Sequence, residues 1–439
     1  MREKLVQALD RHLAARHGNP LENPVKRLAQ DIVGWIDDGA LDPPAIADLI
    51  QELSASAFDY RARRLAAHLG EGDIEANAAA LRALVIRLTH AEDGALVPFE
   101  VFKGRVEREI LGIVVTAHPT FSMSQELCVA LARLATGHGE DGRPLRAADR
   151  AALLKMARRV RHGPPEGLDL GGELVLAAEA IGHVQGALRR VYGVVLEVAA
   201  EAYPARWSEL RPRLVTVASW VGFDVDGRAD IAWTDTLRAG LTNEARQLER
   251  YLAAVRALAA RCATGAEKEP ASPLKQAESR LHAMAQMLAK DLQRLDDLAG
   301  DDDAAPRFNR HLAASRQSRL VDAGEIIELL DRADADRQEL ALLGAEMANY
   351  GLGMAHIHMR LNASQLINAI RKQVGLESSP DSSGQRRGYL RAINALLDEV
   401  RPVSINFGSI LAERMSARRM FMLIAQFLKY VDAATPIRL

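Results

Sequence analysis

The chain has 439 residues, of which 48% are hydrophobic and 26% are charged, so it has enough apolar side chains to form a core and is not an intrinsically disordered protein. Lysine and arginine number 56, aspartate and glutamate number 58, and the formal net charge of −2 gives no reason to expect nucleic acid or an anionic membrane as a partner. The two cysteines, Cys128 and Cys262, cannot form a disulfide framework or a four-cysteine zinc site, and we expect both to stay reduced.

The region before residue 101 is predicted to consist of helices. Residues 1–18 combine apolar, acidic and basic side chains in an amphipathic pattern, which lacks the apolar stretch of a secretory signal. No part of the sequence contains the roughly 18 uncharged apolar residues of a membrane-spanning helix. We therefore predict an N-terminal helical region over residues 1–100, a second region over residues 101–439, no membrane partner and a cytoplasmic location.

Much of the remaining chain follows the helical repeat of apolar residues. One apolar stripe, with spacings of three and four, runs from Leu174 to Val198, and a second runs from Leu274 to Leu298. Each stripe predicts a long helix with one face in the core. Residues 418–430 form another amphipathic pattern, which predicts a helix near the C-terminus.

Three short segments interrupt this helical pattern. Residues 110–116 (ILGIVVT), 214–220 (LVTVASW) and 354–360 (MAHIHMR) are rich in β-branched or alternating apolar residues, which predicts strands. Polar or glycine-rich residues follow each segment directly. Strands that end in polar side chains and are joined by long helices suggest an α/β barrel, in which the site lies at the carboxyl ends of the strands.

His118 is the first candidate for a chemical role. Pro119 favours an extended backbone at His118, so the imidazole is predicted to lie in a loop after the first strand. Thr116 and Thr120 place hydroxyl groups on both sides of it, and an imidazole that titrates near neutral pH can accept or donate a proton. A purely structural histidine is the alternative.

Further candidates follow the second and third predicted strands. Asp224 and Asp226 lie in the segment GFDVDG, where two carboxylates can form a site loop or ligate a cation such as Mg²⁺, or simply hold a turn. His356 and His358 share one face of a strand, but no third metal ligand is near them in the sequence. Arg360 can bind a phosphate or carboxylate through two hydrogen bonds, or form a structural ion pair.

Three segments resemble motifs of the phosphoenolpyruvate carboxylase family. The family's TAHPT motif, which follows its first barrel strand, stands unbroken at residues 116–120. Its SW-x-GGDRDGNP motif is similar to SWVGFDVDG at residues 219–227, and its LDIRQ-x-S motif is similar to IHMRLNAS at residues 357–364. The resemblance runs from about residue 80 onwards and is typical of a divergent bacterial-type branch, with Val225 and His358 replacing a family arginine and aspartate.

The resemblance implies a mainly α, helix-rich α/β fold of the TIM-like barrel type, with about three of the barrel strands present in this chain. It implies that phosphoenolpyruvate and bicarbonate react to give oxaloacetate and phosphate, with Mg²⁺ or Mn²⁺ as cofactor. His118 would then handle the proton of the carboxyphosphate intermediate. Arg360, Thr116 and Thr120 would bind the substrate.

The resemblance also implies that this chain corresponds to the N-terminal half of the enzyme. The family's metal ligands and a glycine-rich loop belong to the C-terminal half, and the sequence contains no match to them. Three strands cannot close an eight-stranded barrel, and the open edges invite another chain. We therefore expect a homo-oligomer or a complementing C-terminal half, without which catalysis is incomplete.

Two alternatives belong to other functional classes. The first is a non-catalytic helical interaction protein that descends from the enzyme. The second is an unrelated acid–base enzyme built around His118 with Asp224 and Asp226, which would need a closed pocket that joins these residues.

Overall fold

The computed structural model describes residues 2–18, 23–70, 74–117, 123–224, 231–262, 272–297, 304–359, 363–375, 384–401, 403–433 and 435–438. Within these residues the chain forms seventeen α-helices and one four-stranded parallel sheet, which confirms the prediction of a mainly helical α/β protein. None of the helices in the described ranges is both long enough and apolar enough to cross a membrane.

The helices are α1 (Arg2–Ala15), α2 (Pro24–Asp37), α3 (Pro43–Leu69), α4 (Ile74–Leu88), α5 (Phe99–Val106), α6 (Gln125–Thr136), α7 (Ala147–Arg159), α8 (Leu170–Ala202), α9 (Trp233–Cys262), α10 (Pro273–Asp296), α11 (Ala304–Ser315), α12 (Gly324–Asp331), α13 (Arg337–Tyr350), α14 (Ala363–Val374), α15 (Arg386–Glu399), α16 (Phe407–Ala412) and α17 (Ser416–Tyr430). The strands are β1 (Leu111–Val115), β2 (Val215–Ser219), β3 (His356–His358) and β4 (Ile437–Arg438). Short 3₁₀ turns occur at Trp207–Glu209 and Arg316–Ser318.

The chain divides into two compact units. Unit 1 contains Met1–Ile74 and Ala117–Leu168, and unit 2 contains Glu75–Thr116 and Asp169–Leu439. The chain therefore leaves unit 2 directly after β1 and returns to it at the start of α8. The predicted regions 1–100 and 101–439 stay a prediction.

Unit 1 is helical in its described residues. Helix α3 begins where the Asp42 carboxylate accepts a 2.8 Å hydrogen bond from the Ala45 backbone N–H, with Pro43 in the first turn. This is the usual chemistry of a helix start, because the cap satisfies an N–H group that has no partner in the helix. The core of unit 1 is formed by Phe58, Ala62, Leu127, Ala130, Leu134 and Ala157.

The core of unit 2 contains the two predicted long helices. In α8 the stripe from Leu174 to Val198 faces inwards, and its residues are buried or half-buried. In α10 the stripe from Leu274 to Leu295 does the same; Leu298, the last residue of the predicted stripe, lies outside the described residues. The helical periodicity of apolar residues therefore predicted both helices correctly, because burial of one face is what makes each helix stable.

The sheet lies in unit 2, and its strands pair in chain order, β1-β2-β3-β4, all parallel. The three predicted strands are confirmed to within two residues at each end. We did not predict β4, because two paired residues after Pro436 are too few to show an alternating pattern. Parallel strands in chain order are also the arrangement of one part of an α/β barrel.

Strand β1 forms one edge of the sheet and is poorly covered. Its side chains include Leu111 with 55%, Ile113 with 36% and Val114 with 39% of their surface exposed, and Ile110 before it is 70% exposed. Strands of parallel sheets are normally buried on both faces. An apolar edge strand that lacks this cover is a site at which another polypeptide can add a strand.

Candidate functional site

The carboxyl ends of the strands meet at one edge of the sheet because the strands are parallel. Val115 at the end of β1 pairs with Ser219 at the end of β2. The Ser219 hydroxyl donates a 3.0 Å hydrogen bond to the Val115 carbonyl and accepts a 3.2 Å bond from the Val221 backbone N–H. Ser219 therefore fixes the ends of two strands relative to each other.

The ends of β2 and β3 are joined through aromatic rings. Trp220 follows β2 and contacts His358, the last residue of β3, edge to face with 5.8 Å between the ring centroids. Next along the chain, the Met359 backbone N–H donates a 2.8 Å hydrogen bond to the Arg438 carbonyl in β4. The segments that follow β1, β2 and β3 thus begin at one continuous edge.

A tight turn holds the segment after β2. The Phe223 N–H donates a 2.7 Å hydrogen bond to the Trp220 carbonyl, and Gly222 has a φ of +85° that suits glycine. A Cβ atom at Gly222 would lie 2.6 Å from the Ala239 side chain in α9. The turn is therefore closely packed up to Phe223, which is buried, and Asp224 follows it at the edge.

Two of the six predicted site residues lie in this part of unit 2. Thr116 directly follows β1 and Asp224 follows the turn after β2, and both are half-buried. The other four, His118, Thr120, Asp226 and Arg360, lie outside the described residues. Their predicted roles stay predictions.

Arg438 forms a polar cluster that the sequence did not indicate. From β4 its guanidinium donates a 2.5 Å hydrogen bond to the Glu109 carboxylate before β1 and a 3.0 Å bond to the Thr216 hydroxyl in β2. It also donates a 3.2 Å bond to Nδ1 of His356 in β3. The hydrogen bond from Arg438 is the main reason why the pKa of Glu109 is lowered.

This cluster shows that the sheet is curved. Neighbouring strands lie about 4.8 Å apart, so β1 and β4 would be separated by three such spacings in a flat sheet. The Arg438 side chain nevertheless reaches Glu109 and comes within 3.3 Å of where a Cβ atom on Gly112 would lie. The face that carries Thr216 and His356 is therefore concave.

His356 is not free to bind a metal ion. Its Nδ1 accepts from Arg438, and its Nε2 lies 3.0 Å from the Asn349 carbonyl, to which it donates. Burial, opposed by the bond to Asn349, lowers the pKa of His356 to about 4. The ring is therefore neutral near pH 7, and the suggested His356 and His358 metal pair has no support in this geometry.

A small cavity lies between α9, α17 and the strands. It has a volume of about 20 Å³ and is lined by Ser219, His356, Asp432 and Glu244 among others, which leaves room for one water molecule. Glu244 is 1% exposed, and neither of its carboxylate oxygens has a hydrogen-bond partner in the described structure. Burial raises the pKa of Glu244 well above its ordinary value, although Arg319 opposes this shift.

The sequence does contain a signal for Glu244 that we missed. Leu237, Leu241 and Leu248 form the buried stripe of α9, and Glu244 falls in line with them at spacings of three and four. A charged residue inside an apolar stripe indicates a buried polar group.

The described residues do not fit a divalent metal site. Within them no group of three or more histidine, cysteine, aspartate or glutamate side chains is arranged to hold a metal ion. The Mg²⁺ or Mn²⁺ that the resemblance implies would need ligands from elsewhere. No family model matches the sequence, and no curated protein matches it.

Proposed function

We propose that the chain provides the N-terminal half of a phosphoenolpyruvate carboxylase, with a second polypeptide supplying the rest of the active site. One observation carries the proposal: the three segments that resemble the family's motifs begin at the same edge of one curved parallel sheet. They are far apart in the sequence, and the fold brings the residues before them together. The carboxyl edge of such a sheet is where α/β barrels place their sites.

In this proposal Arg360 binds the phosphate of phosphoenolpyruvate through two parallel N–H groups, and the hydroxyls of Thr116 and Thr120 orient it. An oxygen of bicarbonate forms a bond to phosphorus while the bond between phosphorus and the enol oxygen breaks, giving carboxyphosphate and an enolate. His118 holds the carboxyphosphate and accepts its proton as it separates into CO₂ and phosphate. The enolate carbon then forms the new bond to CO₂ and gives oxaloacetate.

The first test measures oxaloacetate formation by the full chain, alone and mixed with a separately expressed C-terminal half of a phosphoenolpyruvate carboxylase. We expect turnover only in the mixture, with Mg²⁺ and bicarbonate present. His118→Asn should reduce it by at least about a hundredfold, the usual contribution of a proton carrier. His68→Asn, at an exposed position in α3, is the matched control and should have no effect.

The second test measures binding of phosphoenolpyruvate to the chain by isothermal titration. Arg360→Gln should weaken binding by about tenfold or more, because it removes a charge-assisted hydrogen bond. Arg158→Gln, at an exposed position in α7, should not. A folded chain that neither binds the substrate nor gives turnover in the mixture would contradict the proposal.

The second candidate function is the non-catalytic helical interaction protein. The exposed apolar side chains of β1 favour it, since they form a surface on which another polypeptide can dock. This candidate predicts a stable complex with the C-terminal half and no turnover.

A further inference from the structure

A groove of about 420 Å³ lies at the opposite end of β2 from the candidate site. One wall is the segment Ser208–Arg211, which precedes β2, and the other is formed by the end of α12 and the start of α13. Its volume falls in the range of small-molecule sites. Nothing in the proposed carboxylation uses it.

Apolar side chains lie at the base of the groove. Leu330, Leu340 and Ala341 line it and are buried at 1%, 7% and 4% exposure. Ala333 adds a methyl group at the side. The base of the groove can therefore contact an apolar group of a ligand, while its sides are polar.

Arg211 forms a fixed wall. Its guanidinium donates hydrogen bonds of 2.8 and 3.0 Å to the carbonyls of Ser208 and Leu210, and one of 2.7 Å to the Asp331 carboxylate. It lies against α13 at Gly344, where an added Cβ atom would come within 3.2 Å of Nε. Arg211 and Asp331 thus form an ion pair.

Glu209, the other carboxylate of the groove, also has a cationic partner. It accepts hydrogen bonds of 2.9 and 2.7 Å from Arg206, whose hydrogen bond is the main cause of the lowered pKa of Glu209. The acidic side chains of the groove therefore already have cationic partners.

Arg337 is the remaining cation. Its guanidinium donates a 3.2 Å hydrogen bond to the Ser208 hydroxyl and lies 5.8 Å from the centre of the Trp207 ring. Among the described residues no carboxylate lies within ion-pair distance of it. The Arg337 guanidinium at this groove thus has no carboxylate partner among the residues that the structure describes.

We infer that this groove binds a small organic carboxylate with an apolar body. The carboxylate accepts two parallel hydrogen bonds from Arg337, and the apolar body covers Leu330 and Leu340. The inference goes beyond the proposed carboxylation and does not depend on it.

The test follows the melting temperature of the full chain at constant ionic strength, with isovalerate, its neutral amide isovaleramide, or inorganic phosphate as the probe. We expect a saturable rise with isovalerate, at most a small one with the amide, and a weaker one with phosphate, which has no apolar body. Saturation-transfer NMR on the isovalerate methyl groups reports binding directly.

Arg337→Gln should weaken isovalerate binding by about tenfold, the worth of a charge-assisted hydrogen bond. Arg332→Gln is the matched control, because Arg332 is exposed at the end of α12 and does not line the groove. Equal binding of acid and amide, binding that survives Arg337→Gln, stronger binding of phosphate, or no binding at all would overturn the inference.

Discussion

Burial shifts the pKa values of two side chains in unit 2 in opposite directions. Glu244 has a raised pKa and His356 a lowered one, and burial is the largest cause in both cases. Burial therefore favours the neutral form of each group in the folded chain. Each neutral group links folding to pH with a different sign.

Glu244 should make the fold less stable as the pH rises. The unfolded carboxyl ionises near pH 4.5 and the folded one well above it, so stability is full below pH 4.5 and is lost progressively above it. Glu244→Gln removes this loss and should be more stable than the natural chain by about 1–3 kcal/mol at pH 8. Urea unfolding between pH 5 and pH 8 measures the difference. The exposed Glu249→Gln in the same helix is the control, and a difference that does not grow with pH would contradict the prediction.

His356 should make the fold less stable as the pH falls. The unfolded imidazole binds a proton near pH 6.5 and the folded one only near pH 4, so stability is lost between these values, by at most about 3 kcal/mol. His356→Asn should lack this acid-side loss, although it is less stable at pH 7 because Arg438 and Asn349 lose partners. The same unfolding series checks it, with the exposed His17→Asn as control. An unchanged acid-side slope in the variant would rule out His356 as the cause.

At the residue scale, the sequence predicts the site where the signal is local. Thr116 and Asp224 could be placed after their strands because strand, turn and polar residue are consecutive. The cluster around Arg438 could not be predicted from the sequence, since Glu109 and Arg438 are 329 positions apart and no local pattern links them.

Helices α9 and α17 approach each other closely, and the contact depends on one glycine. A Cβ atom at Gly240 in α9 would overlap the ring of Phe427 in α17. Gly240→Ala should therefore cost about 1–3 kcal/mol of unfolding free energy through overpacking. Gly186→Ala in α8, where nothing lies within 4 Å of the added atom, should instead add up to about 1 kcal/mol because alanine is the better helix former. Thermal unfolding of the two variants tests the prediction. Equal effects on stability would show that the contact between α9 and α17 tolerates the added methyl group.

Strand β1 should make the isolated chain self-associate. Leu111 is 55% exposed at the sheet edge, and a lysine there opposes the addition of another strand. Leu111→Lys should lower the associated fraction in sedimentation velocity and change stability by less than about 0.5 kcal/mol. Val25→Lys replaces an even more exposed apolar residue, at 71%, on helix α2, and should leave association unchanged. Similar effects of both variants would point to a general charge effect.

At the element scale, the periodic helices and three of the strands follow from the sequence. Strand β4 does not, because it has only two residues and is defined by its pairing with β3. Its formation depends on tertiary structure and leaves no periodic signal.

The molecule as a whole contains two units, and the second segment of unit 1 lies in the chain between β1 and α8. We could not predict this division, because the proline and glycine breaks of the sequence resemble ordinary loops.

Phe58→Ala should destabilise unit 1 by about 3–5 kcal/mol, since Phe58 is fully buried in its core. Hydrogen exchange followed by mass spectrometry should show the loss of protection in residues 23–70 and 123–168. Tyr60→Ala, 57% exposed in the same helix, is the control and should change little. Faster exchange spread evenly over the whole chain would contradict the assignment of Phe58 to a core of its own.

The contact between Glu109 and Arg438 also has a consequence for synthesis on the ribosome. Glu109, just before β1, emerges early, but its partner Arg438 is added 329 residues later. At about 5–20 residues per second this is a delay of tens of seconds, during which the Glu109 carboxylate lacks its hydrogen bond to Arg438. The hydrogen bond that joins the start of β1 to β4 can therefore form only after synthesis has reached residue 438.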